Sequence, residues 1–210
     1  MMSDGEISVY QCPACGFRFP AESDSPAAAT CPHCNAPTRE AVRYLPHRQT
    51  SPSPLPSLHV EALLDNLRSA WNVGSIFRIA DGAGIRRLHL CGITPPGDHP
   101  RIPKTALGAE KTIPWHSHPN GLHLARTLQE RGYRLWALET TPKARPLFSL
   151  LPVETDSPLV LVVGNERWGV DPEILGLCEQ HIFLPMQGNK ESLNVAVAFG
   201  IAAYALAYTR

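Results

Sequence analysis

Four cysteines near the start of the chain stand in two pairs, Cys12-Pro-Ala-Cys15 and Cys31-Pro-His-Cys34, with 15 residues between the pairs. A CxxC turn lets two thiolates converge on one ion. This spacing matches a four-cysteine zinc ribbon with Cys12, Cys15, Cys31 and Cys34 as ligands. Iron in a rubredoxin-like site uses similar geometry, so the residues do not choose between the two metals. Gly16 after the first pair helps that turn reverse. His33 lies inside a knuckle and is not counted as a ligand. Cys91 and Cys178 fall at a strand end and a helix end and read as ordinary packed thiols.

Three polar clusters farther along carry the other chemistry. Asn72-Val-Gly-Ser-Ile-Phe-Arg78 opens a helical pattern, with Asn72 suited to cap it and Arg78 able to pair with Asp81. Gly164-Asn-Glu-Arg-Trp-Gly169 follows the apolar run LVLVV. The 185–194 stretch, ending Lys190-Glu191-Ser192-Leu193-Asn194, precedes a final helix that Ser192 would cap. No GxGxxG occurs and no GxxxxGK[ST], so neither a dinucleotide fold nor triphosphate cradling has support.

The elements that must position these clusters alternate. Strands are expected at 57–64, 86–92, 133–140, 158–164 and 181–186. Helices are expected at 73–84 and 119–132, the latter ended by Gly132, with a short one capped by Asp171 ahead of Pro172 and a last one closing the chain. Strand and helix in repeated order imply an α/β fold with a mostly parallel sheet covered on both faces. Ligands of such sheets bind at the carboxyl ends of the strands, where two of the polar clusters fall. The Pro- and Ser-rich stretch 45–57 reads as a linker between a metal-binding head, 1–44, and the larger domain, 58–210.

The totals limit the function class. Lys plus Arg equals Asp plus Glu at 19 each, which argues against a wholly basic nucleic-acid coat and leaves room for a local patch. With 43% hydrophobic and 18% charged residues, the chain is globular. No membrane span and no signal peptide are read, so a cytoplasmic protein is expected.

NVGSIFRIADGAG, LVLVVGNERWGVDPE and IFLPMQGNKESLNVAVAFGIAAYAL resemble, in order, the three motifs of the SpoU/TrmH branch of the SPOUT RNA methyltransferases, and KTALGAEKTIPW resembles the segment between the first two. The resemblance covers roughly 58–210. It implies a C-terminal deep trefoil knot, S-adenosyl-L-methionine held in the knot loops, a homodimer, and methyl transfer to a ribose 2′-hydroxyl of tRNA or rRNA. By resemblance, Gly164, Leu184, Met186 and Leu193 surround the cofactor, and Arg78, Asn72, Glu166, Ser192 and Asn194 form the catalytic set.

That hydroxyl is a weak acid and must lose its proton as it attacks. Arg78 matches the arginine that the family is thought to use as base; alternatively it orients a phosphate and stabilises the alkoxide. Asn72 and Asn194 would orient Arg78 and the ribose, Glu166 would hold the arginine or a backbone amide, and Ser192 would cap the last helix and touch substrate. Two other readings stay open: a zinc-ribbon RNA-binding protein with an inactive knotted domain, and a methyltransferase acting on a base. Arg39, Arg43, His47, Arg48, Lys104 and Lys111 are candidate RNA contacts.

Overall fold

The structure is a computed structural model that describes residues 7–45 and 58–209. The linker stretch lies outside them apart from Leu45, as do His47 and Arg48. Two units are present, one within residues 1–53 and one within 54–210.

In the first unit, β1 (Ile7–Gln11), β2 (Arg18–Glu22) and β3 (Arg39–Arg43) form an antiparallel sheet in the order β2-β1-β3, with the short α1 (Pro26–Ala29) between the last two. The two CxxC turns repeat one geometry. Gly16 and Asn35, each just after a pair, take the left-handed conformation at φ 77° and 59°. Their amides donate to the carbonyls of Cys12 and Cys31, both at 2.9 Å. Asn tolerates this region better than most side chains, so the second turn manages without a glycine. Few apolar side chains are buried here, Tyr10, Cys12, Ala28 and Cys31 among them.

The second unit runs β4 (Val60–Asp65), α2 (Ala70–Ala83), β5 (Leu88–Cys91), α3 (Pro103–Ala106), β6 (Trp115–His118), α4 (Gly121–Glu130), β7 (Arg134–Leu138), β8 (Arg145–Pro146), β9 (Leu159–Val163), α5 (Pro172–Leu177), β10 (Gln180–Phe183) and α6 (Val195–Tyr208). Its seven strands pair in the order β6-β5-β4-β9-β7-β10-β8, every pair parallel. The central strands β4 and β9 are buried throughout. Their side chains divide by period two. Ala62, Leu64, Leu159, Leu161 and Val163 join the core under α2 and α6; Leu63, Val160 and Val162 join the one under α4 and α5. This explains why β9 reads as an unbroken apolar run.

β10 lies between β7 and β8 although it comes later in the chain than both. The short connection 139–144 therefore crosses β10, with Thr141 Oγ1 2.8 Å from His181 Nδ1.

Two cap assignments read from sequence are corrected. α2 begins at Ala70, capped by Ser69, whose Oγ accepts from the Asn72 amide at 3.3 Å. Asn72 is inside the first turn, which frees its side chain. α6 begins at Val195, so the residue in cap position is Asn194 and not Ser192; Asn194 Oδ1 accepts from the amides of Ala196 and Val197. The strand expected at 181–186 ends at Phe183.

α6 is apolar almost all round. Phe199, Ala202, Ala203 and Leu206 face the core, and Gly200 lets the helix approach α2, where an added Cβ would stand 3.3 Å from Ile79 Cδ1. Phe199 is fully buried. Phe199→Ala should lower stability by about 3–5 kcal/mol, because the transfer and cavity losses add. A denaturation midpoint displaced with unchanged slope is the expected readout.

Candidate active site at the carboxyl ends of the central strands

A cavity of about 400 Å³ opens at the carboxyl ends of β7, β9 and β10. The loop after β9 forms one wall. It can fold back only because residue 164 is glycine: a Cβ there would lie 2.2 Å from Gly169 C and Val170 N. Asn165 fixes the loop, donating to Asn66 O at 2.7 Å and accepting from the amides of Arg167 and Trp168. The segment after β10 supplies the other wall with Leu184, Met186, Ser192 and Leu193.

Glu166 leaves this loop toward the start of α2. Its carboxylate accepts from the amides of Arg68 at 2.9 Å and Ser69 at 3.0 Å, and from Asn72 Nδ2 at 2.9 Å. Asn72 Oδ1 in turn accepts from Asn194 Nδ2 at 3.1 Å. One chain of hydrogen bonds thus runs from the β9 loop through α2 to the cap of α6. It joins residues 94 and 122 positions apart.

Of the expected site residues, Asn72, Gly164, Glu166, Leu184, Met186, Ser192, Leu193 and Asn194 all line this cavity, and Arg78 does not. Arg78 is exposed on α2. Its expected pairing with Asp81 does not form among the described residues, and Asp81 accepts from Thr112 Oγ1 at 3.0 Å. Glu166 holds backbone amides and Asn72, so of its two expected roles the amide contact is the one present, and the arginine contact is absent. Trp71, Ser75, Arg78 and Gly82 fall on one ridge of α2, and Asn72 sits about a third of a turn away from it.

Glu139 and Thr140 also line the cavity and were missed from sequence. The available signal was their place just past the carboxyl end of a parallel strand. Glu139 accepts from the amides of Thr140 and Val170. Arg167 lines the cavity too, with its guanidinium 5.6 Å from the ring centre of Trp168, which is 71% exposed.

In the small unit, Cys12, Cys15, Cys31 and Cys34 offer sulfur atoms all within 4.8 Å of one another. The Cys12–Cys34, Cys15–Cys31 and Cys15–Cys34 separations are 3.5, 3.7 and 3.4 Å. Tetrahedral coordination at the usual zinc–sulfur bond length needs about 3.8 Å between sulfurs, so the set fits one ion with small adjustments. Cys91 and Cys178 are buried, and burial pushes both thiols up to about 12, as suits packed side chains. Of the proposed basic contacts, Arg39 and Arg43 lie on β3, Lys104 stands 5.8 Å from the Trp71 ring centre, and Lys111 closes a 3-10 turn.

Burial works against the charge on Glu166, but the donors from Arg68, Asn72 and Ser69 outweigh it and hold the carboxyl below its usual 4.5. A folded value below the unfolded one adds stability above about pH 4.5, lost as pH falls through the folded value. Glu166→Gln should therefore be less stable at pH 7 by about 1 kcal/mol, a modest figure because the group is exposed. Urea unfolding across pH should show the gap closing below about pH 4.5; a gap constant with pH would mean that the charge contributes nothing.

Residues 59–204 match the model of the SpoU rRNA methylase family. The tRNA (guanosine(18)-2'-O)-methyltransferase of Thermus thermophilus is 32% identical over 142 residues, 68% of this chain and 71% of that protein. The 23S rRNA (guanosine-2'-O-)-methyltransferase RlmB of Ralstonia nicotianae is 31% identical over 68% of this chain, which spans only 55% of that protein. A solved rRNA methyltransferase from Sinorhizobium meliloti with AdoMet bound superposes with a TM-score of 0.65 at 25% identity, over 72% of this chain and 56% of that one. The residues that the three motifs bring together at the cavity all fall inside the matched span, and the chain belongs to the SpoU rRNA methylase family.

Proposed function

We propose that this chain is an S-adenosylmethionine-dependent RNA methyltransferase that acts on a ribose 2′-hydroxyl of tRNA or rRNA. The observation that carries this is the Glu166–Asn72–Asn194 chain at the rim of a cavity lined by Gly164, Leu184, Met186 and Leu193.

The cavity suits the cofactor chemically. Leu138, Leu184, Met186 and Leu193 offer apolar contact to a flat adenine, and the carboxylates of Glu139 and Glu191 complement positive charge. When bound, S-adenosylmethionine supplies an electrophilic methyl group on a sulfonium. The loop 184–194 would cover it, and the strand order that carries 139–144 across β10 supports a C-terminal trefoil knot. Asn72 and Asn194 are held by each other and by Glu166, so the second N–H of each side-chain amide is left as a fixed donor toward the ribose. Ser192 lies beside them as a substrate contact, with no capping role.

Arg78 acts from a second copy of the chain. The outward ridge of α6, Val197, Ile201, Tyr204 and Tyr208, is exposed and apolar, and it lies beside the α2 ridge that carries Arg78; Tyr204 packs over Gly82. Val195 and Ala198, at the α6 start, line the cavity. A homodimer that covers this two-helix face brings the Arg78 of one protomer toward the cavity of its partner. A guanidinium is a donor, so there it stabilises the developing alkoxide and steers the phosphate. Exposed Trp168, between the cavity-lining Arg167 and Gly169, offers a stacking face to an RNA base. The cysteine cluster holds one structural zinc, which replaces the core that so small a unit lacks.

Arg78→Ala should bind S-adenosylmethionine as the wild type does, by calorimetry, yet transfer methyl about a hundredfold more slowly in a single turnover. Leu193→Arg should lose cofactor binding by driving a charge into an apolar wall. Mixed dimers of these two inactive variants should regain activity, since one protomer keeps an intact cavity and the other keeps its arginine. If mixing restores nothing, Arg78 does not act across the dimer. Nuclease digestion and mass mapping of RNA from a deletion strain should locate a missing ribose methyl; a missing base methyl would overturn the ribose assignment.

Elemental analysis of the isolated chain should find a zinc that disappears in a Cys12→Ser, Cys34→Ser variant, with the methyltransferase unit still folded. A zinc content unchanged in the variant would place the metal elsewhere.

A further inference from the structure

A second cavity, of about 410 Å³, lies under α4 and shares no lining residue with the first. Its wall is the other face of β4, β5 and β6. In register, Leu63 pairs His89, His89 pairs His116 and Cys91 pairs His118. Side chains two apart share a face, so Glu61, His89, His116 and His118 all sit on this one. The methyl-transfer chemistry uses none of them.

Glu61 is buried at 6% exposure and is fully engaged. Oε1 accepts from Tyr133 OH at 3.0 Å and faces His59 Nε2 at 3.1 Å; Oε2 faces His89 Nε2 at 2.7 Å. A carboxylate accepts, so His89 carries its proton on Nε2. That leaves the lone pair on His89 Nδ1, which points at His118 Nε2, 3.2 Å away.

We propose that His89 Nδ1, His118 Nε2 and His116 form a three-histidine site for a divalent transition metal such as zinc, with Glu61 orienting His89 from behind. Two nitrogens on a tetrahedral zinc stand about 3.3 Å apart, close to the separation present. A carboxylate behind a ligating imidazole is the usual outer partner of such a site, fixing its tautomer and ring orientation. A His-x-His pair on one strand with a third histidine on the adjacent strand puts three imidazoles on one patch of a sheet face. The ring centres of His89 and His118 lie 5.2 Å apart, and those of His116 and His118 6.4 Å. His116 therefore has to turn inward; it is exposed and makes no hydrogen bond among the described residues. The fourth position opens into the cavity and takes water or a small anion. Arg87 and Arg131, exposed at the rim, favour an anion there.

The inference is independent of the methyltransferase reading and is tested by metal binding alone. The full chain, its cysteine site already filled with zinc, is titrated with Co²⁺. One equivalent should bind with weak visible d–d bands and without the near-ultraviolet charge transfer of thiolate ligation. Added zinc should displace it. His118→Ala should abolish this equivalent, His116→Ala should weaken it at least tenfold, and Glu61→Gln should weaken it about 10- to 100-fold, with the cysteine-bound zinc retained in each. Thermal melts of the His116 and His118 variants, both outside the buried core, should match the metal-free wild type, which separates lost ligation from lost folding. No Co²⁺ binding by the wild type, or bands that persist in His118→Ala, would overturn the proposal and leave a structural hydrogen-bond network.

Discussion

The second unit depends on where the Glu166 carboxylate goes. A loop carboxylate gains little from solvent-exposed neighbours, but this one accepts two backbone amides just ahead of α2 and one side-chain amide within it. Those amides belong to a helix start, where N–H groups have no partner inside the helix. Satisfying them from the β9 loop ties α2 to the sheet. Asn72, held at one end, then holds Asn194, and Asn194 caps α6 with its remaining oxygen. Each donor is used once and each acceptor oxygen is occupied. Such a chain is cooperative, so the cavity rim forms as a unit.

Close approach imposes a second constraint on the same loop. Gly164 has no room for any Cβ, because the chain returns over it within a few residues. Gly169 closes that return at φ 74°, with the Glu139 carboxylate against it. The loop is therefore built from backbone packed on backbone, and the polar side chains are left to do the tethering. The cavity keeps its apolar lining on the other wall, from Leu184, Met186 and Leu193.

The two units solve different physical problems. The larger has two apolar layers, one on each face of a buried sheet, and ordinary hydrophobic burial suffices for it. The smaller buries few side chains, and its cysteines point at one another at separations that suit a shared ion. The two sequence turns that carry those cysteines are alike in backbone although one has glycine and the other asparagine after the pair. The proposed metal–sulfur bonds would supply what the smaller unit lacks in apolar area.

The sequence by itself determined the alternation of strands and helices, the buried character of β9, the cysteine spacing and the identity of the three polar motifs. These are local or periodic signals: a run of apolar residues, a fixed spacing, a short string of polar types. Helix starts were less legible. Ser69 and Asn72, or Ser192 and Asn194, are equally good caps by type, and only the turn that forms decides which one is used. Glu139 carried no motif and was visible only as a polar residue past a strand. Tertiary structure alone decided that Glu166 reaches Asn72 and Asn72 reaches Asn194, since those partners are far apart in sequence. It alone put β10 between β7 and β8, gathered Glu61, His89, His116 and His118 on one sheet face, and left Arg78 outside its own chain's cavity. The reason is common to all four: a side chain's direction follows from the register and rotation of its element, and these are set by packing against segments remote in the chain.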